Sequence, residues 1–184
     1  YEKNDYIGGH TNTRPAQFGG HKAWADTGFM VFNLQTYPNL VKMFEHLGVE
    51  TIETDMSFGV SLGKGKFEFS SDNVFVQKQN MLKPSFWRML FDIVRFNKTA
   101  ATVVNAHSKE LSLQDLLSEM CMSERFAEQY LLPMAGAIWS TEADNMLEYP
   151  AKKFISFCEN HGLLNPKTLN PFKLSTGRLQ WYTV

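Results

Sequence analysis

Glu2, followed at Gly8 and Gly9 by a glycine pair, is the first place where residue type and spacing could do chemistry. The Glu2 carboxylate offers two acceptor oxygens, which suit a vicinal diol better than a hydroxyl or an amide would. Adjacent glycines can take positive φ and let another molecule approach the backbone. Their amides can also form an anion-binding nest. In a dinucleotide-binding βαβ unit, an acidic residue ending the second strand accepts hydrogen bonds from the adenosine ribose. It stands about 20 residues beyond a Gly-rich phosphate loop. No G-x-G-x-x-G run precedes Glu2, so the expectation is a cut fragment in which that loop, its strand and its helix are missing. Without a cofactor, Gly8-Gly9 and Asp26-Thr27-Gly28 would be simple turns and Glu2 a solvated charge.

The elements around these residues follow from pattern. Tyr1-Glu2 reads as a strand end, residues 3–12 as turn and loop, and residues 22–25 as a short strand leading into Asp26-Thr27-Gly28-Phe29. A helix is expected over 38–47, with Pro38 in its first turn, Leu40, Val41, Phe44 and Leu47 on one face, and Gly48 as its stop. Alternation of Phe58, Val60 and Leu62, a Gly63-Lys64-Gly65 turn, then Phe67 and Phe69 predicts a hairpin. From Pro84 the pattern turns helical. Phe86, Met89, Leu90, Ile93 and Val94 mark one amphipathic helix, and Ser112 with Asp115 forms a capping box for the next. Ser123 opens another helix, which Pro133 must end or kink. Thr141 to Asp144 can cap a short turn, and Pro150 begins a last helix through Phe154, Ile155 and Cys158 to Gly162.

Composition narrows the function classes. Eighteen Lys and Arg stand against 19 Asp and Glu, a balance that argues against a broad nucleic-acid footprint. Cys121 and Cys158 are far apart without C-x-x-C spacing. They read as small buried hydrophobes in a reducing cytoplasm, not as a disulfide framework or a metal site. No apolar run approaches the roughly 18 residues of a membrane span, and the first residues do not form a signal peptide. The 15 Phe, 4 Trp and 9 Met fit either a domain built around an apolar cavity or an ordinary Phe-rich core. The Phe86 to Met89 stripe reads as core and not as a substrate box. His21, His46 and His107 read as surface residues, and His161, just before Gly162, as a cap on helix carbonyls.

The string Tyr1-Glu2-Lys3-Asn4-Asp5-Tyr6-Ile7-Gly8-Gly9-His10-Thr11-Asn12-Thr13 resembles the E-A-x-D-R-x-G-G-R-x-x-T segment of the flavin amine oxidase superfamily. Monoamine oxidases, protoporphyrinogen oxidase and phytoene desaturases share that segment. Trp24-Ala25-Asp26-Thr27-Gly28-Phe29 looks like their V-D-x-G turn beside the flavin, and Glu45-His46-Leu47-Gly48-Val49-Glu50-Thr51 resembles their x-E-L-G-L-E-T helix end. Farther on, Asp55-Met56-Ser57-Phe58, Phe86-Trp87-Arg88-Met89-Leu90, Tyr130-Leu131-Leu132-Pro133-Met134 and Ala137-Ile138-Trp139-Ser140 look like a bacterial subgroup described as predicted NAD/FAD-binding proteins. Asn160-His161-Gly162-Leu163-Leu164 and Gln180-Trp181 are similar to it as well.

The resemblance implies an FAD-dependent oxidoreductase moving a hydride equivalent from a substrate C–H to flavin. The implied cofactor residues are Glu2, Gly8, Gly9, His10, Thr11, Asp26, Thr27, Gly28 and Phe29. His10 replaces the usual Arg of the family, and Phe29 replaces a second Gly. The implied fold is α/β and α+β. Residues 1–49 would form part of an FAD-binding Rossmann-like domain, and residues 50–184 an incomplete, helix-rich substrate domain with a small antiparallel sheet. Phe, Met and Trp content favours an apolar substrate, a lipid or isoprenoid, over a small amine. No nucleophile–base pair stands out, so no catalytic residue is assigned. The alternative is a non-enzymatic helical binding or scaffold domain.

Overall fold

The structure, a computed structural model, describes residues 2–29, 31–54, 57–164, 169–170, 173–174 and 180–183. Tyr1 of the expected strand end and Asp55-Met56 of the subgroup motif lie outside these residues. Two compact units are present, Tyr1–Asp55 with Gln180–Val184, and Met56–Leu179.

In the first unit, β1 (Thr13–Phe18) and β2 (His21–Asp26) form an antiparallel hairpin, Thr13 facing Asp26 and Phe18 facing His21. Gly19 and Gly20 turn the chain at φ 56 and 84. Two successive positive φ values are what a type I′ turn demands, and its twist matches that of the strands. Sequence pattern predicts only the second strand. All six residues of β1 are exposed, so no buried face imposes a period of two on it.

The chain continues through β3 (Phe32–Asn33), α1 (Pro38–Leu47) and β4 (Ile52–Thr54). Pro38 begins α1 and Gly48 ends it at φ 66, donating its amide to the Glu45 carbonyl. Of the expected apolar face, Leu40, Val41 and Phe44 are half-buried, whereas Leu47 is 64% exposed. Phe44 meets Phe32 edge-on at 5.2 Å.

The second unit opens with the expected hairpin, β5 (Gly59–Leu62) and β6 (Phe67–Ser70), and Val60, Phe67 and Phe69 are buried. Phe58 and Phe69 both meet the Tyr130 ring edge-on, at 6.0 and 5.7 Å, so the hairpin's apolar face lies against the helices. A 3-10 turn (Lys78–Leu82) precedes α2 (Pro84–Ala106), longer than its leading apolar residues suggest. Its buried stripe runs through Phe86, Met89, Ile93, Phe96, Ala100 and Val104. At α3 (Leu113–Glu119) the capping box is present, Ser112 Oγ accepting from the Asp115 amide at 3.1 Å and Asp115 Oδ2 from the Ser112 amide at 3.0 Å.

Ser123 caps α4 (Glu124–Phe126), which widens into a π turn (Ala127–Leu131) and continues as α5 (Leu132–Trp139). Pro133 therefore does not end the helix. The Leu132 amide reaches back to the Ala127 carbonyl, one residue beyond the α-helical partner. The register shift places Pro133 in the first turn of α5, where a missing N–H is tolerated. Then follow α6 (Ala143–Leu147) and α7 (Ala151–Asn160), which buries Ala151, Phe154, Ile155 and Cys158. Glu142, the residue before α6, makes no side-chain capping bond, and of the expected capping segment Thr141 to Asp144 the side chains of Ala143 and Asp144 lie outside the described residues. His161 Nδ1 lies 2.9 Å from the Phe157 carbonyl, the capping position expected of it.

Two two-residue strands, β7 (Leu169–Asn170) and β8 (Lys173–Leu174), pair with each other. The last strand, β9 (Trp181–Thr183), returns to the first unit and lies between β3 and β4, antiparallel to both. Every pair among the described strands is antiparallel. The chain is thus mixed helix and small antiparallel sheets, and none of these pairs is the parallel pair of a Rossmann unit. No helix among the described residues is long and apolar enough to cross a membrane.

The two cysteines differ, contrary to the expectation of two buried ones. Cys158 is buried and Cys121 is exposed, at φ 47 after α3. Burial pushes the Cys158 thiol from 9.0 up to about 12, and burial likewise raises the Tyr130 hydroxyl. A folded pKa above the unfolded one means full stability below pH 9.0 and a loss as pH rises toward about 12. Titration of the native chain with a thiol reagent at pH 8 should label Cys121 and spare Cys158, and denaturant should expose both. Rapid labelling of both thiols in the native state would contradict this packing.

Candidate functional site

The hairpin β1–β2 carries the two segments singled out in the sequence to the same end. Beyond the strand pairs the ladder keeps its register. The Thr27 amide donates to the Asn12 carbonyl at 3.2 Å, and the Phe29 amide to the His10 carbonyl at 3.2 Å. Two side chains lock this end. Thr27 Oγ1 donates to the Asn12 carbonyl at 2.6 Å, and Thr13 Oγ1 to Asp26 Oδ1 at 2.6 Å. Residues 8–11 and 26–29 are therefore neighbours along one backbone edge.

Residues 8–11 form a tight turn closed by the Thr11 amide and the Gly8 carbonyl at 2.9 Å. Gly8 sits at φ 120, and a side chain there would press a Cβ to 2.7 Å from the Thr11 carbonyl oxygen. Gly9 sits at φ 58, the left-handed region, and a Cβ built on it meets nothing within 4 Å. The amides of Gly9 and His10 bond to no described residue, so two successive donors stand open beside unfilled space. Such a pair suits an anion.

Gly28 has a different explanation. A Cβ on it would collide with the His10 carbonyl oxygen, so the hairpin itself requires glycine there. Close flavin approach is not needed to account for it. Asp26 serves the Thr13 hydroxyl, and Phe29 meets Tyr37 edge-on at 6.3 Å. Glu2 is exposed, and its Oε1 accepts from the Asn4 amide at 2.8 Å within its own loop.

Asn12 and Thr13 were not singled out in the sequence, although they hold the edge together. The signal was present in Gly19-Gly20, since a hairpin turned there sets residue 13 opposite 26 and carries 10 toward 29. Elsewhere, among the described residues, no group of three or more His, Cys, Asp or Glu is placed to hold a metal ion. Five phenylalanines of the second unit's core, Phe69, Phe86, Phe96, Phe126 and Phe154, are fully buried. Compared with known protein families and with the curated proteins, the chain matches none.

The two glycines predict different responses to a methyl group. Gly28→Ala should force residues 10 and 28 apart and abolish amide-exchange protection at Thr27 and Phe29. Gly9→Ala meets only the left-handed backbone penalty, roughly 1–2 kcal/mol, and should leave that protection intact. Equal protection in Gly28→Ala and the wild type, measured by hydrogen exchange, would refute the close approach.

Proposed function

We propose that this chain is part of an FAD-dependent oxidoreductase of the flavin amine oxidase kind, with Rossmann-like FAD binding completed by a G-x-G-x-x-G unit ahead of Glu2. The observation that carries the reading is the pair of open amides at Gly9 and His10 in a turn held against residues 26–29. One elongated cofactor must touch both segments, and the hairpin register makes them neighbours. In this reading the amides of Gly9 and His10 face the diphosphate, and Glu2 accepts from the ribose hydroxyls once released from Asn4. The segment from Asp26 to Phe29 borders the flavin end. His10 contributes no permanent charge where the family has Arg, so the diphosphate depends more on backbone donors here. FAD, when bound, supplies the two-electron acceptor; the chain's part is to bind, orient and exclude water. The substrate in this reading is apolar, a long-chain lipid or isoprenoid, or an amine.

The test uses the protein carrying this chain together with its Gly-rich unit. It should purify with the flavin absorption band and rebind FAD after removal. Glu2→Gln should keep the fold and weaken FAD by roughly 1–3 kcal/mol, the scale of a hydrogen bond to a charged group. A protein that neither carries nor takes up FAD would end the reading. An unchanged affinity in Glu2→Gln would remove Glu2 from the site.

A further inference from the structure

Residues 73–108 carry five cationic side chains, Lys78, Lys83, Arg88, Arg95 and Lys98, and a single acid, Asp92. Asp92 is 4% exposed and its carboxylate is held by Arg95 at 2.8 Å and by the Ser123 amide at 3.0 Å, so this stretch presents no negative charge to solvent. All five cations are exposed, in a chain whose formal net charge is only −1. Apolar side chains stand among them in water. Leu82 is 88% exposed, Phe91 70%, Met81 47% and Trp87 41%. With Pro84 and Arg88 they line one open hollow of about 520 Å³, where the turn Lys78–Leu82 meets the first turns of α2. The Trp87 indole is fixed by donating to the Met81 carbonyl at 2.8 Å, so the turn and the helix present one face.

We propose that this face docks on an anionic lipid surface, with Leu82, Trp87 and Phe91 entering the boundary between headgroups and acyl chains. Lys83, Arg88 and Lys98 then meet the headgroup phosphates. Charge complementarity selects the occupant. Exposed apolar side chains beside Lys83 and Arg88, on a segment whose own acid is buried and paired, form the mixture that a negatively charged bilayer attracts. A second copy of the chain meeting this face symmetrically would set the same cations against each other. A nucleic acid would leave Leu82 and Met81 without a counterpart. The proposed association is peripheral, through side chains of the turn and of α2; no described helix is long and apolar enough to cross a bilayer. The proposal concerns the second unit and does not rest on the FAD reading.

Sedimentation of the chain with phosphatidylcholine vesicles, with and without phosphatidylglycerol, tests it. The chain should co-sediment with the vesicles containing phosphatidylglycerol and release as salt rises. Leu82→Ser combined with Phe91→Ser should lower partitioning about tenfold or more, from the apolar area withdrawn. Because both residues are exposed, the double variant should melt with the wild type. Lys83→Gln with Arg88→Gln should weaken binding to the anionic vesicles alone. The proposal fails if the chain ignores anionic vesicles, binds neutral ones equally well, or binds undiminished in the serine variant. Concentration-dependent self-association that the serine variant abolishes, without vesicle binding, would assign the face to a second copy and also overturn it.

Discussion

Helix α2 can sit in the second unit at only one rotation about its axis. Its apolar stripe and its one carboxylate, Asp92, are buried on the same side. An unpaired buried charge costs several kcal/mol, so Asp92 must find partners wherever the helix lies. It finds Arg95 and the amide of Ser123, and Arg95 also donates to the Cys121 carbonyl at 3.1 Å. The link from α3 into α4 therefore hangs from one pair of side chains on α2. Once α4 begins at Ser123, Phe126 falls 5.3 Å from Phe96, and Tyr130 follows at 5.7 Å from Phe126 to receive the β5–β6 hairpin. The same rotation turns Trp87 and Phe91 to solvent. Core and exposed patch are consequences of one constraint.

That constraint explains which elements could be read from sequence. Where a buried face exists it leaves a period: Val60, Phe67 and Phe69 for the hairpin, and Ala151, Phe154, Ile155 and Cys158 for α7. Where a boundary is made by local chemistry it leaves a signature, as at Pro38, Gly48 and the Ser112–Asp115 box. Long-range pairing leaves neither. β9 meets β3 and β4 through two or three residues each, too few for alternation to register. The π turn escapes for a related reason, because Pro133 signals an interruption but not how the backbone absorbs it. Cys121 was misjudged as buried because cysteine is usually so, whereas here it follows α3 in a left-handed conformation outside the core.

The candidate site was legible as residues but not as geometry. A glycine reports only that a side chain is unwelcome, and the reasons here are distinct. At Gly28 the obstacle is the His10 carbonyl, a partner within the fold. At Gly8 it is the chain's own turn. At Gly9 there is no obstacle, only a backbone angle, and the space beside it is open. A motif match treats the three alike, although only Gly9, with the His10 amide, is left free by the fold to meet another molecule. The FAD reading accordingly rests more on residues 9 and 10 than on residue 28.

Near-zero net charge carries a similar ambiguity. The balance of 18 cations and 19 acids argues against a broad basic footprint, but it does not describe how charge is distributed. Within residues 73–108 the one acid is buried and paired, so the Lys and Arg side chains that this stretch exposes stand without an exposed acid from the same stretch. The burial of Asp92, needed to place α4, is thus also what leaves the Lys and Arg side chains on α2 without an exposed counter-charge from their own segment. Stability of the core and the electrostatic character of the outer face are set by one aspartate, and they cannot be altered independently at that position.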